Sequence, residues 1–241
     1  MLILYSLIFI FILIPRILFV IFFPETGGDY DIYSRVAENI LRGCGVSLSD
    51  PAKQACEPHF GGNHGPGYDI FIAINWYLFE NSNFMVRLVQ TVIYCFASLY
   101  FLRSLYLLTK NKFIFLIFGM ILAFSPLTIA WSRYVQTETL SLAFTLLVFA
   151  ELIISYVNKK LRIVPIAVAM VLATWIRLDN VFLCVPIAIS CFYIHGFKKG
   201  LINGIITASI LASSWGIWTI RNINVGLPSI LPQNLIMPDG S

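Results

Sequence analysis

Long apolar runs alternate with short polar connectors along most of this chain, and that rhythm sets the reading. Runs at 2–23, 84–108, 113–132, 138–157, 163–194 and 201–220 are each rich enough in apolar residues to cross a bilayer, for which about 20 helical residues suffice. The run 163–194 is too long for one span and carries Arg177, Asp179 and Asn180 near its middle. A lone helix would put those charges in hydrocarbon at a cost of several kcal/mol. Two helices, 163–176 and 181–194, with a turn between them remove both difficulties. The predicted fold is all-α: a polytopic transmembrane helical bundle of about seven spans.

Residues 24–83 break the rhythm as one large polar loop. Inside it, Ile32, Val36, Ala37, Ile40 and Leu41 share one helical face, so 32–41 is predicted as an interfacial helix closed by Gly43. The mildly apolar stretch 68–79 contains Asp69 and Asn75 and is too short to span. It is predicted to lie against the membrane face. The topology depends on that choice, because a crossing there would move every later lysine connector to the other side. The first run lacks a basic leader and a small-residue cleavage site, so it reads as a retained anchor.

Composition sharpens this picture. The chain is 59% hydrophobic and 12% charged, with mean hydropathy +0.83. Soluble domains carry about 25% charged residues, so a soluble domain is excluded. The net charge of +4 comes without a basic, aromatic-interleaved stripe, which argues against a nucleic-acid partner. The connectors 109–112, 158–162 and 195–200 hold seven Lys/Arg and no acid, and the opposite side then receives eleven of the twelve acids, all but Glu151. By the positive-inside rule the N-terminus is cytoplasmic and the 24–83 loop and the 221–241 tail lie outside the cytoplasmic membrane. Cys95, Cys184 and Cys191 fall in apolar runs and read as packed thiols. Cys44 and Cys56 share the outer loop, where they pair in an oxidising compartment or stand as two free thiols.

That topology gathers Asp29, Asp31, His64, Arg133 with Glu138, Arg177 with Asp179, and Arg221 on the outer side. Carboxylates among arginines suit an anionic phosphate substrate and a proton transfer. Each residue also has a plainer role. Asp29 or Asp31 would cap the helix that follows, and His64 would be an ordinary loop histidine. Arg133 and Arg177 would reach for lipid headgroups, and Arg177 with Asp179 would hold a turn. Arg16, Arg87 and Arg103 read as anchors or bundle contacts. His59 and His64 with a carboxylate offer ligands to a divalent cation, but no tight cluster with metal-ligand spacing is present.

Motif order is more specific than any single residue. Gly28-Asp29-Tyr30-Asp31-Ile32-Tyr33 follows the first anchor. His64-Gly65-Pro66-Gly67-Tyr68 comes next, then Phe84-Met85-Val86-Arg87-Leu88-Val89-Gln90. Ser125-Pro126, Gln136-Thr137-Glu138-Thr139 and Trp175-Ile176-Arg177-Leu178-Asp179-Asn180 complete the series. This order resembles the GT-C superfamily of membrane glycosyltransferases, of the protein-O-mannosyltransferase-like and lipid-A-arabinosyltransferase-like kind. Gly65-Pro66 stands where those proteins carry Pro-Pro, and Arg177-Leu178 where they carry Arg-Pro.

The resemblance implies a polyprenyl-phosphate-linked sugar donor and inverting transfer to an acceptor hydroxyl of a protein, lipid or polysaccharide. Asp29 would be the general base. Arg133, Arg177 and His64 would stabilise the departing phosphate, Glu138 would orient those cations or bind sugar, and Asp31, Tyr33 and Tyr68 would contact substrate. The resemblance implies that complete members continue through further spans, so the chain would correspond to their N-terminal part, as a fragment, a truncated product or a minimal member. Two other functions compete: a non-catalytic truncated module that binds a lipid carrier, and a lipid flippase or transporter, which would need polar groups along a path through the bilayer.

Overall fold

The computed structural model describes residues 2–25, 27–49, 56 and 65–225, and its regular elements are helices. They are α1 (Leu2–Phe22), α2 (Tyr30–Leu41), α3 (Gly67–Phe79), α4 (Asn83–Thr109), α5 (Lys112–Phe124), α6 (Pro126–Ser132), α7 (Glu138–Val157), α8 (Ile163–Ile176) and α9 (Cys184–Asn224), with a 3-10 turn over Leu178–Leu183. Ser82 and Asn111 start α4 and α5 by accepting the Met85 and Phe113 amides, at 3.3 and 2.8 Å.

Four helical segments are long and apolar enough to cross a membrane: Ile3–Phe22, Asn83–Thr109, Glu138–Val157 and Leu178–Asn224. The bent pair α5–α6 makes a fifth when taken as one span. Large apolar side chains stand exposed along α1, α5 and α9, a surface that water would not tolerate but lipid does. Helix α8 is apolar yet shorter, at 14 residues.

Two breaks in the helices have identifiable causes. The run expected as one helix over 113–132 bends by 48° between α5 and α6. Pro126 offers no N–H to the Leu122 carbonyl, which frees the chain to turn. Arg16, fully buried in α1, fills the gap: its guanidinium donates to the carbonyls of Leu122 (2.6 Å) and Ala123 (3.2 Å), to Thr128 Oγ1 (2.7 Å) and to Ile12 O within its own helix (2.6 Å). It also lies over the Tyr94 ring at 4.6 Å. The second break is in α9, which is not interrupted over the whole expected connector 195–200 but at Gly196 alone, where φ is +69°. A side chain at Gly200 would come within 2.8 Å of the Cys191 carbonyl, so the two arms of α9 fold back against each other.

Apolar packing joins these pieces. Ile8, Ile12, Tyr94, Phe115 and Ala143 bind α1, α4, α5 and α7, while Leu152, Ile166, Met170 and Ile187 bind α7, α8 and α9. The alternation of helices leaves two unlike ends. Lys110, Lys112, Lys159, Lys160, Lys198 and Lys199 collect at one, where Glu151 pairs with Arg162 at 2.9 Å and accepts the Tyr100 hydroxyl at 2.6 Å. The other end carries α2, α3 and the turns at 133–138 and 177–183. There a third cluster, with Tyr33, Tyr68, Ile72, Val135 and Ile176, forms a floor.

Candidate functional site

The carboxylate end is assembled from segments far apart in sequence. The loop after α1 is fastened to the turn before α7. The Glu25 amide donates to the Arg133 carbonyl (3.2 Å), its side chain pairs with Arg133 (3.2 Å), and Arg87 donates to its carbonyl (3.3 Å). Gly27, at φ +92°, presses on Gln136 so closely that a β-carbon would sit 2.6 Å from that side chain. Only glycine accepts both conditions.

This fastening delivers Asp29 to the start of α2. Its backbone carbonyl accepts the Ile32 and Tyr33 amides, but its side chain makes no capping bond. The exposed carboxylate is therefore not spent on the helix. Asp31 lies inside the first turn of α2 and is exposed, so the capping role considered for it is not the one it takes. Tyr33 is buried, with its ring edge-on to Tyr68 at 5.0 Å and its hydroxyl hydrogen-bonded to Thr137. Burial, followed by the nearby carboxylate of Asp29, raises its pKa. Tyr68 donates to Gln90 Oε1 (3.0 Å), and Gln90 Nε2 donates to the Tyr134 carbonyl (2.7 Å). A continuous chain thus ties α2, α3, α4 and the 133–138 turn together.

Arg177 holds the opposite wall. It donates to Thr137 Oγ1 (3.0 Å), Glu138 Oε1 (2.8 Å) and Asp179 Oδ2 (3.0 Å). The sequence pairing of Arg133 with Glu138 is corrected here: Arg133 turns to Glu25 and lies over the Tyr134 ring at 4.7 Å, and Arg177 takes Glu138. Gly65 and Gly67 rest on the Trp175 backbone, where a β-carbon at Gly65 would meet the Trp175 carbonyl at 2.4 Å. Arg221 lies over Trp218 at 4.9 Å and donates to the Val46 carbonyl at 2.7 Å, tying the end of α9 to the loop after α2. Cys44 and Cys56 form a disulfide in that loop, with a Cα separation of 5.3 Å.

Beside this wall opens a cleft of about 790 Å³ lined by Pro24, Glu25, Gly27, Gly28, Arg87, Trp131, Tyr134 and Gln136. Aromatic faces with a carboxylate, an amide and a guanidinium make a surface for a polar, ring-shaped ligand. Beneath the site, Asp69 is completely buried, and neither oxygen finds a hydrogen-bond partner among the described residues. Burial raises its pKa well above the ordinary carboxylate value, which favours the neutral acid.

Of the candidate residues, Asp29, Tyr33, Tyr68, Glu138 and Arg177 meet around one junction, with Arg133 on its flank and Asp31 on the exposed first turn of α2. His64, and with it His59, lies outside the described residues. Among the described residues no group of three or more His, Cys, Asp or Glu is placed to hold a metal ion. Sequence reading quoted Gln136 and Thr137 within a motif without giving them a role, and gave none to Glu25, Trp131 or Tyr134. Their signal was present as polar and glycine residues crowded at 24–28 and 133–138, but only contact between the two segments gives it meaning.

The bundle of apolar helices with its charged junction at one end defines a helical membrane protein. Compared with known proteins, the chain matches no family model, no curated protein and no solved structure.

Proposed function

We propose that the chain is a membrane glycosyltransferase that moves a sugar from a polyprenyl-phosphate-linked donor to an acceptor hydroxyl outside the cytoplasmic membrane. The observation that carries this reading is the exposed carboxylate of Asp29, free of any capping bond and stapled through Glu25 and Gly27 to the 133–138 turn, whose Glu138 holds Arg177 at the end of α8. A base on one side and a guanidinium on the other are what glycosyl transfer from a phosphate requires. The acceptor oxygen attacks the anomeric carbon while Asp29 takes its proton. The bond from that carbon to the phosphate oxygen breaks, and Arg177 receives the charge left on the phosphate. The sugar ring lies in the cleft against Trp131 and Tyr134.

The reading rests on a seven-span arrangement in which α5–α6 is one bent span, α8 and the two arms of α9 are three more, and α3 lies at the surface. The lysine end then faces the cytoplasm. The Cys44–Cys56 disulfide supports the same orientation, since such bonds persist on the oxidising side. A flippase is less well supported, because the ionisable groups gather at one end instead of along a path.

Membranes containing the chain, incubated with a radiolabelled panel of polyprenyl-phosphate hexoses and pentoses, test the proposal. Label should leave the lipid fraction, and Asp29→Asn should slow that transfer by about 10²–10⁴-fold. Full activity of Asp29→Asn removes Asp29 as the base. Saturable donor binding without turnover by the unaltered chain would favour a lipid-carrier-binding module instead.

A further inference from the structure

At the lysine end, the loop between α7 and α8 meets the fold-back of α9. Between them lies a cavity of about 310 Å³ lined by Lys160, Leu161, Ile163, His195, Lys199, Ile202 and Asn203. At about 30 Å³ per water molecule, that is room for roughly ten waters, enough for a solvated phosphate headgroup. The Leu161 amide donates to His195 Nε2 at 3.2 Å, which fixes the imidazole in the wall. That bond leaves Nδ1 as the ring's donor.

The charges around this cavity are unequal. Arg162 is neutralised by Glu151 at 2.9 Å, and Lys159 lies over the Tyr156 ring at 4.1 Å. Lys160 and Lys199 have no acidic partner among the described residues and are exposed. The connectors 158–162 and 195–200 contain no acid. The cavity therefore presents two unspent ammonium groups and an imidazole to whatever enters. Along α9 the next positions on the same face, Ile202, Ile206 and Ile210, are apolar and exposed. Cationic groups at the rim with an apolar stripe leading away from them match an amphiphile with an anionic head and a hydrocarbon tail.

We propose that this cavity is a binding site for an anionic membrane phospholipid, with its phosphate held by Lys160, His195 and Lys199 and an acyl chain along Ile202, Ile206 and Ile210. Basic pockets between membrane helices hold anionic headgroups by this combination of charge and enclosure. The site is at the opposite end of the bundle from Asp29, and it does not depend on the transferase reading. The same end supplies an internal control. Lys110 and Lys112 carry equal charge on the connector between α4 and α5 but are not in the lining of this cavity.

The test is lipid retention by the full chain purified from nanodiscs containing phosphatidylglycerol and phosphatidylcholine in equal amounts. The unaltered chain should retain phosphatidylglycerol selectively, Lys160→Gln/Lys199→Gln should lower that retention about tenfold, and Lys110→Gln/Lys112→Gln should leave it unchanged. The single variant Lys199→Gln gives the same reading should the double variant fail to fold, with a smaller drop expected. Equal loss in both lysine pairs would mean a diffuse surface charge and would overturn the site. Equal retention of phosphatidylcholine would do so too. Displacement of phosphatidylglycerol by millimolar inorganic phosphate would show a pocket for free phosphate, and would overturn the lipid assignment.

Discussion

Arg16 and Arg177 both sit where an apolar run would ordinarily exclude charge, yet their partners are of different kinds. Arg16 is fully buried, and its closest partners are neutral: the carbonyls of Ile12, Leu122 and Ala123, the Thr128 hydroxyl and the Tyr94 ring. Arg177 is about one-third exposed and is gripped by two carboxylates, Glu138 and Asp179. A guanidinium surrounded by carbonyls cannot meet a substrate; it repairs the backbone that Pro126 breaks. A guanidinium held by carboxylates at a rim keeps its charge, its orientation and its access. On the proposed reading, the difference separates the group that holds the bundle from the group that meets the substrate.

The largest effect expected from breaking this contrast is at Arg16. Arg16→Met keeps much of the volume but leaves the Leu122 and Ala123 carbonyls without donors in a dry interior. Each unsatisfied buried group costs about 1–3 kcal/mol, so the variant should lose stability by about 2–6 kcal/mol, read as folded yield and as unfolding midpoint in detergent. Arg16→Lys should recover only part of it, since an ammonium cannot span four acceptors with a planar fork. Arg16→Met at unaltered stability would mean that the bent span holds itself.

Arg177→Gln is the complementary change. The ion pairs at this rim are partly exposed, and such pairs contribute about 0–1 kcal/mol, so the unfolding midpoint should move little. Transfer activity should fall by about 10²–10³, the usual cost of losing one donor to a developing anion. A large loss of stability with unaltered turnover per folded molecule would reverse the assignment and make Arg177 a second structural clamp.

Much of the frame was legible in the sequence, because span length and apolar continuity are local properties. The ends of α1, α4, α7 and α8 fall where the apolar runs stop, and the turn at Arg177 follows from the cost of charge in lipid. Pro126 was visible as well, yet the run 113–132 reads as continuous until Arg16 is seen to supply the missing donors from 107 residues away. The site was harder. Asp29, Glu138 and Arg177 stood out as ionisable residues at connectors. Which arginine takes Glu138 depends on how two turns at the same end rotate against each other, and no local pattern encodes that. Thr137, Gln90 and Gly27 matter only through contacts with α2, α3 and the 133–138 turn.

A smaller effect sharpens how Arg177 is placed. The residues just before it carry the 65–67 turn, and a β-carbon at Gly65 would meet the Trp175 carbonyl at 2.4 Å. Backbone cannot yield as a side-chain end can, so Gly65→Ala must separate the turn from α8, at about 1–3 kcal/mol as for other overpacked positions. Its effect on transfer should exceed that of Gly216→Ala, where nothing lies within 4 Å of the added carbon. Equal effects would mean that the turn does not position Arg177.

Asp69 supplies the third case, a buried ionisable group with neither a cage of neutral donors nor a counter-charge. Its carboxyl is enclosed in α3 with both oxygens unpartnered among the described residues, and burial lifts its pKa well above the ordinary value. In the unfolded chain the same group titrates near its usual value of about 3.9. Above that pH the unfolded chain releases a proton that the folded chain keeps. The folded state then binds more protons, and stability falls as pH climbs from about 4 toward the raised folded value. Asp69→Asn cannot ionise in either state and removes this contribution. Between pH 5 and pH 8 its unfolding midpoint should fall less than that of the unaltered chain, leaving the variant relatively more stable at the alkaline end. Identical slopes would mean that Asp69 is charged in the folded protein, and that the charge beneath Tyr33 and Tyr68 is stabilised as Arg177 is, by a partner of opposite sign.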